Sequence, residues 1–544
     1  MKTTKKLLSV LLAGSTALSI SACSNETGQS GTDGQNGSGT TTTSVSFSEA
    51  PAPEIDENSE TGTVKVLLYY ALDDTQVALF ESRYGGTIDT EITSSNPVYF
   101  ERLATLIATG DSPDIVRYEW NAFPHGMSYN MFTPLDTYVD FSDPLWADMQ
   151  PLAEQFAYNG KHYYVPYQVT THYSLNYNNR ILQENGMIDP MTLLNSNNWT
   201  WSTFEDMLKQ WCDKDPAHIG FNGVDAMIFC LSTGTKLIDV KDGEIINNVK
   251  DENITRCMQW LESLRKEGLI GACNDTHYAN GATTGYVAPS EAFVDGNLLF
   301  LGMEPSWTYA DAKTALDRQN IPNEMKFIPF PRDEFADKYY VGTDTFGYMI
   351  PAGSQNIKGA MDWITFNREE ETDPDNIAKA RTEALDDSIH YYPICPNSDC
   401  NDTVNPDSKG RHVFTDEENE AGMNTCPSCG TERREQYKVV WSEEQYDLYM
   451  EMRSTDGRFS MLFDNYYGFS QDVRTLFSGK GDGLTDGVFN DLSYTGIVES
   501  LYPVLESYLQ PYRDRMAADA RGEEITTTPP EGLEESIETE DAGE

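Results

Sequence analysis

Short apolar runs alternate with amphipathic stretches along most of this chain, and the order of the alternation can be read. Val64 to Tyr70 (Val-Lys-Val-Leu-Leu-Tyr-Tyr) reads as a buried strand. Asp73 to Tyr84 carries helix spacing at Val77, Phe80 and Tyr84, meets a stop at Gly85-Gly86, and leads into a second strand at Thr87 to Thr93. Val98 to Thr109 repeats the helical pattern with Leu103, Leu106 and Ile107 on one face, and Gly110 ends it before a strand at Asp114 to Tyr118. The order β-α-β-α-β predicts an α/β fold with a parallel sheet, and such sheets bind ligands in a crevice beyond the C-terminal ends of their strands. Residues that follow strands, Ala71 to Asp74 and Glu119 to Phe123, are therefore the first places to look for a site.

The N-terminus follows a different pattern. A short basic stretch with Lys2, Lys5 and Lys6 precedes an apolar run from Leu7 to Ile20, which closes on Ser21-Ala22-Cys23. This is an export signal, and the run is well short of the roughly 20 residues that a spanning helix needs. Small residues before Cys23 resemble the lipobox of bacterial lipoproteins. That resemblance implies cleavage after residue 22 and a diacylglyceryl anchor on Cys23, at the outer face of the cell membrane. Ser24 to Gly62 is Gly, Ser, Thr, Asn and acidic residues with almost nothing to bury, so it reads as a disordered tether. A coil of about 39 residues spans on the order of 35 Å.

Composition narrows the partners. The chain has 544 residues and a formal charge of −49, a surface that repels nucleic acid and envelope polyanions and keeps an exported protein soluble. Residues 63–516 are too many for one core and suit two lobes with an insertion, followed by an acidic tail at 517–544.

Several segments resemble, in order, the extracellular solute-binding proteins of ABC importers, the family that contains the maltose and oligosaccharide binders. They include Leu103-Ala-Thr-Leu-Ile-Ala-Thr-Gly-Asp-Ser-Pro-Asp-Ile-Val116, Pro134-Leu-Asp136, Gly160-Lys-His-Tyr-Tyr-Val-Pro166 and Leu175-Asn-Tyr-Asn178. Further on stand Trp199 to Glu205, Phe293-Val-Asp-Gly-Asn297, Glu304-Pro-Ser-Trp307, Ile328-Pro-Phe-Pro331 and Gly347-Tyr-Met-Ile350, the last before a helix at Gln355 to Phe366. Ser202 and Glu205 have capping-box spacing of their own. Residues 380–435 depart from the pattern.

The resemblance implies a two-lobed, periplasmic-binding-protein-like fold with a hinge and a central ligand cleft. Lobe one takes 63–168 and 331–390, and lobe two takes 169–330 and 436–516. The chain is expected to cross near Gln168 to Tyr173, near Ile328 to Pro331, and again after an insertion at 391–435. The implied function is capture of a sugar or oligosaccharide by a monomer that delivers it to ABC permease subunits, without chemistry. Sugar rings need flat aromatic side chains and hydrogen-bonding Asp, Asn, Gln or Glu. Family position points to Tyr118, Glu119, Trp120 and Asn121 after a strand, Gln168 and Thr170 at the first crossing, Glu304 and Trp307 in lobe two, and Asp344 on the returning strand. Tyr466 and Tyr467 are weaker candidates.

Cysteine spacing supplies a second constellation. Cys395-Pro-Asn-Ser-Asp-Cys400 and Cys426-Pro-Ser-Cys429-Gly430 resemble the two knuckles of a zinc ribbon, with four thiolates around one structural Zn²⁺. Two disulfides are the alternative in an oxidising compartment. The insertion has only Ile394, Val404, Val413, Phe414 and Met423 as core material, so a metal would account for its folding. Cys212, Cys230, Cys257 and Cys273 stand among apolar positions and read as buried thiols.

Two other functions stay open on sequence alone. Glu119, Glu304 and Asp344 near a cleft allow a secreted glycoside-active enzyme, and the tether with the ribbon allows a surface adhesin. The chain lacks a Gly-x-Ser-x-Gly elbow, a His-Glu-x-x-His helix and a phosphate-binding loop.

Overall fold

A computed structural model describes residues 60–95, 98–119, 122–170, 173–223, 226–271, 291–303, 307–387, 390–407, 409–436, 439–478 and 483–523. The described residues divide into two compact units, one from 60–377 with 448–523 and one from 378–447.

In the larger unit the chain begins as the alternation predicts. Strand β1 (Thr63–Leu68) leads to helix α1 (Asp74–Tyr84), strand β2 (Thr87–Ile92), helix α2 (Val98–Thr109) and strand β3 (Ile115–Arg117). The Asp73 carboxylate accepts from the Thr75 and Gln76 amides and starts α1, and Gly85, at φ 74°, ends it. Helix α2 buries Tyr99, Phe100, Leu103 and Leu106 on one face. Strands β4 (Val165–Thr170) and β5 (Ser174–Asn178) follow, then helix α3 (Trp201–Cys212), strand β6 (Ile219–Asn222), helix α4 (Glu252–Lys266) and strand β7 (Leu298–Met303). After these come helix α5 (Trp307–Arg318) and strands β8 (Met325–Ile328), β9 (Tyr339–Gly342) and β10 (Asp344–Met349). Helix α6 (Ile357–Thr372), strand β11 (Phe459–Leu462) and helix α7 (Tyr494–Ala520) complete the set used below.

Two sheets result. The first has the order β2-β1-β3-β10-β4, and the second β8-β5-β7-β6. In the first, β1 runs parallel to both β2 and β3, whereas β10 is antiparallel to β3 and to β4. The chain therefore leaves the first sheet after β4, builds the second from 174–328, and returns through β9 to β10. Strand β9 pairs in parallel with β11, Tyr339 opposite Phe459, so the returning chain is held by a segment from beyond the smaller unit.

The core of the first sheet packs Val64, Val66, Leu68 and Ile115 against α6 through Trp363, Ile364 and Phe366, with the Phe80 and Trp363 ring centroids 5.0 Å apart. Around the second sheet Trp199, Phe204, Phe221, Phe229 and Phe300 pack together, and the Trp199 indole donates to the Pro329 carbonyl at 2.8 Å. Helix α7 serves both parts: near its start Tyr494 donates to the Val249 carbonyl at 2.7 Å, and near its end Tyr512 meets His125 at 2.7 Å. It runs to Ala520, past the point where the acidic tail was expected to begin.

Local expectations fared unevenly. Helix α3 starts two residues earlier than the Ser202–Glu205 spacing suggests. Its start is organised by Thr200 and Thr203, because Ser202 uses its amide on Glu334 and Glu205 is taken by Lys209 and the Trp260 indole. Tyr466 is fully buried and stacks on Phe477 at 4.5 Å, which makes it a core ring rather than a ligand contact. Cys230 and Cys257 are buried as expected, Cys212 is partly buried, and Cys273 lies outside the described residues.

Asp464, just after β11, ties that strand to residues beside the second sheet by accepting from the Leu237 amide at 2.5 Å and the Tyr466 amide at 3.1 Å. Burial pushes its carboxyl from 3.8 up to about 7, against the opposing pull of those amides and of Lys236. The folded protein thus holds this proton more tightly than the unfolded chain, so the contribution is fully present below about pH 4 and is lost as pH rises toward 7. Asp464→Asn is expected to flatten this part of the pH dependence. Urea unfolding of both proteins at pH 5 and pH 8 reads it as a shrinking difference between the two pH values, and an unchanged difference contradicts it.

Candidate functional site

Strand polarity decides which residues meet. Strand β4 runs parallel to β3, and β10 runs against both, so the ends of β1, β3 and β4 share one edge of the first sheet with the beginning of β10. Tyr69 and Tyr70 follow β1, Arg117 ends β3, Tyr118 and Glu119 come next, Gln168 lies near the end of β4, and Asp344 begins β10. The register sets Asp344 opposite Thr170 and Phe346 opposite Gln168.

Aromatic rings back this edge. Tyr118 is 5% exposed and lies against Tyr164, with centroids 4.3 Å apart, and against Phe156 at 5.3 Å. Gly347 permits that packing, because a Cβ there would meet Tyr164 Cε2 at 2.4 Å. The Tyr164 hydroxyl bonds Thr345 Oγ1 at 2.6 Å, while the buried Tyr118 hydroxyl has no hydrogen-bond partner among the described residues. Burial pushes both phenols well above their ordinary range, so they remain protonated donors. From α2, the fully buried Tyr99 donates to the Leu67 and Arg117 carbonyls, at 3.2 and 3.0 Å, where the β1–β3 ladder stops.

Polar side chains on the edge are braced rather than loose. Gln168 donates to Glu371 Oε2 at 3.0 Å, the other oxygen of Glu371 accepts from Arg453 at 2.8 Å, and Arg453 also donates to the Val169 carbonyl. The end of β4 is thereby tied to α6 and to the chain before β11. Burial first, and then the adjacent Glu119 carboxylate, raise the Tyr69 phenol, to which Glu119 is hydrogen-bonded. The Asp344 carboxylate accepts from the Thr345 amide at 2.8 Å.

The structure thus brings Tyr118, Glu119, Gln168 and Asp344 together at one sheet edge. Thr170 and Trp307 are placed by backbone alone, at the end of β4 and the start of α5, and their side chains lie outside the described residues. Trp120, Asn121 and Glu304 also lie outside them, as do Cys23 and the signal and tether. Two surface hollows, of about 340 and 220 Å³, are lined by none of these candidates. Sequence reasoning missed Tyr69, Tyr70, Arg117, Phe346, Glu371 and Arg453. The two tyrosines were counted inside the strand that they follow, and nothing local marks Glu371 or Arg453, which meet Gln168 only through the fold.

The smaller unit contains the cysteine constellation. The Sγ atoms of Cys395, Cys400, Cys426 and Cys429 all lie within 4.8 Å of one another, the first three residues buried and the fourth exposed. Cys395 and Cys429 are 3.5 Å apart and Cys400 and Cys426 3.7 Å, near the roughly 3.8 Å edge of a tetrahedron with metal–sulfur bonds of about 2.3 Å. All four are free thiols, and an all-sulfur donor set suits a soft metal ion. The knuckles are shaped by backbone bonds, Cys395 to His412 at 2.9 Å and Cys426 to Thr431 at 2.8 Å, with Gly430 at φ 71°. Beside Cys429, Thr431 holds the thiol down to about 6, whereas burial pushes Cys395 up to about 12.

A polar chain supports the cluster. Ser428, between the cysteines of the second knuckle, donates to Asp402 at 2.6 Å, and His412 bridges Asp402 at 2.9 Å and Glu418 at 3.1 Å. Around it Phe414 is buried beneath the Arg433 guanidinium, 3.8 Å from the ring centroid, and Met423 packs on the four-residue core. Val404, expected as core material, is instead 89% exposed: the Asp402 carboxylate accepts from the amides of residues 404 and 405, turning the chain outward there.

No curated protein matches the chain in sequence. Among solved structures, the cyclic α-maltosyl-1,6-maltose binding protein of Arthrobacter globiformis is similar at a TM-score of 0.54 and 12% identity, covering 82% of this chain and 99% of its own. An ABC substrate-binding protein from Listeria monocytogenes in complex with cycloalternan is similar at a TM-score of 0.47 and 14% identity, covering 85% and 100%. The Arthrobacter likeness supports a shared two-lobed fold. The sequence profile of the bacterial extracellular solute-binding proteins matches residues 75–397, more than half of the chain, and takes in the second sheet, the first sheet apart from β1, and Cys395 of the first cysteine knuckle. This chain belongs to the bacterial extracellular solute-binding protein family.

Proposed function

We propose that the protein captures a sugar or oligosaccharide between its two sheets and delivers it to the permease subunits of an ABC importer, held at the outer face of the membrane by lipid on Cys23. The observation that carries the sugar reading is the edge of the first sheet, where the partly exposed rings of Tyr69 and Tyr70, backed by the buried Tyr118 and Tyr164, meet the hydrogen-bonding side chains of Glu119, Gln168 and Asp344 on braced backbone. Rings cover the apolar faces of a pyranose, and fixed acceptors select its hydroxyls. The saccharide named for the Arthrobacter neighbour is consistent with that chemistry. Thr170, Trp120, Asn121, Glu304 and Trp307 complete the proposed contact set.

The layout supports capture without chemistry. The carboxylates of the edge serve as braces and acceptors, and the two chain passages between the sheets suit closure around a solute, which removes water and strengthens each hydrogen bond. No described helix is long and apolar enough to cross a membrane, in keeping with an anchor at Cys23. The four cysteines would hold one structural zinc ion, which supplies the smaller unit with a folding energy that its core, little more than Phe414 and Met423 beside the cysteines themselves, lacks.

A thermal-shift screen across mono- and oligosaccharides is expected to give a hit, since a ligand at 100 times its Kd adds about 2.7 kcal/mol. Chromatography after incubation should return that saccharide unchanged. Released products would favour a glycoside-active enzyme instead, and no shift with any saccharide would overturn the sugar reading. For the metal, purified protein should contain about one equivalent of zinc, measured by elemental mass spectrometry. Changing Cys426 and Cys429 together to Ser should abolish it, and acidification should release it as the thiolates protonate. Two intact disulfides and no metal in the unreduced protein would contradict the assignment.

A further inference from the structure

Arg117 stands out at the sheet edge because of what it lacks. The chain has 87 acidic residues against 38 basic ones, so a cation readily finds a carboxylate. Arg83, Arg102, Arg180, Arg265, Arg381 and Arg513 each do. Arg117 instead ends β3 among aromatic rings, with its guanidinium carbon 4.4 Å from the Phe346 centroid, 4.9 Å from that of Tyr70 and 5.9 Å from that of Tyr69. Among the described residues no hydrogen bond or ion pair engages its nitrogens, and the residue is partly exposed.

The Phe346 and Tyr70 rings lie within cation–π distance of the guanidinium and restrict its position, which leaves its N–H edge as the recognition surface. That edge matches a carboxylate with two parallel hydrogen bonds. Partial burial among rings lowers the local dielectric and strengthens such a pair, and the fixed orientation reduces the ordering cost on binding. Of the nearby carboxylates, Glu119 is bonded to the Tyr69 hydroxyl and acts on Arg117 through space, and Asp344 accepts from the Thr345 amide, so among the described residues the guanidinium edge has no direct carboxylate contact. Their charge also disfavours an anion that cannot reach the Arg117 edge, so contact rather than long-range attraction would set the selectivity.

We propose that Arg117 receives the carboxylate of an acidic sugar, so that the captured solute is a uronic acid or an oligosaccharide that contains one. This rests on the carbohydrate reading above. A neutral sugar leaves the guanidinium edge without its partner, and a site built around a charged hydrogen-bonding group discriminates against ligands that lack the match.

The test uses the full mature chain and calorimetry with di- and trisaccharides of galacturonate and glucuronate, their methyl esters, and neutral saccharides of the same length. At least one uronate is expected to bind about tenfold or more tightly than its ester, and added salt should weaken the acid more than the ester. Arg117→Gln should bring acid and ester to similar affinity, while Arg117→Lys should keep part of the preference through charge without the fork. If Arg117→Gln does not fold, the acid-to-ester ratio and its salt dependence in the native protein decide. Neutral saccharides bound with no preference for any uronate would overturn the role of Arg117 and leave the carbohydrate reading standing. No binding of any saccharide, acidic or neutral, would overturn both.

Discussion

Strand β10 enters the first sheet between β3 and β4 and runs against both, and the organisation of the site depends on that pairing. Without it the parallel strands would end on a bare edge. With it, Asp344 and Phe346 arrive opposite Thr170 and Gln168 and beside the Arg117 guanidinium, although the chain has built a second sheet in the interval. The bulge between Phe346 and Gly347, and the close approach of Tyr164 that Gly347 allows, let a ring occupy the space where the ladder bends. Backbone pairing fixes the positions, aromatic packing fills behind them, and charged side chains brace the result.

The braces span long stretches of sequence. Glu371 on α6 holds Gln168 and Arg453, Tyr99 on α2 donates to the Leu67 carbonyl of β1 and the Arg117 carbonyl of β3, and Arg368 donates to the Tyr167 carbonyl at 3.0 Å. A binding protein benefits from such preorganisation, because side chains that are already ordered lose less entropy when a solute arrives. The chain returns to the first sheet through residues 329–343, where the β9–β11 pair holds it.

Much of this was legible in the sequence for a physical reason. Period-two and helical patterns report burial directly, so β1 through β3 and their helices emerged within a few residues of their observed bounds. Cysteine spacing carried the four-thiol cluster because knuckle geometry is local. Strand order pointed to Glu119 and the residues after it, whereas Gln168 and Asp344 were reached only through the family resemblance, because strand pairing across so many residues leaves no local signal. Arg117 was not legible, since one arginine at a strand end looks like any other until Tyr70 and Phe346 are brought to it. The Ser202–Glu205 spacing misled because Glu205 has a better use on Lys209 and Trp260, and Val404 misled because Asp402 turns its backbone outward.

Hydrogen–deuterium exchange with and without a bound saccharide tests the placement of the site most directly. Amide exchange reports local opening, which ligand contacts suppress. The account predicts that protection on binding concentrates at 69–70, 117–119, 168–170 and 344–346, with slower opening of the passage at 329–343. Protection confined to other surfaces, with the edge of the first sheet unchanged, would contradict it.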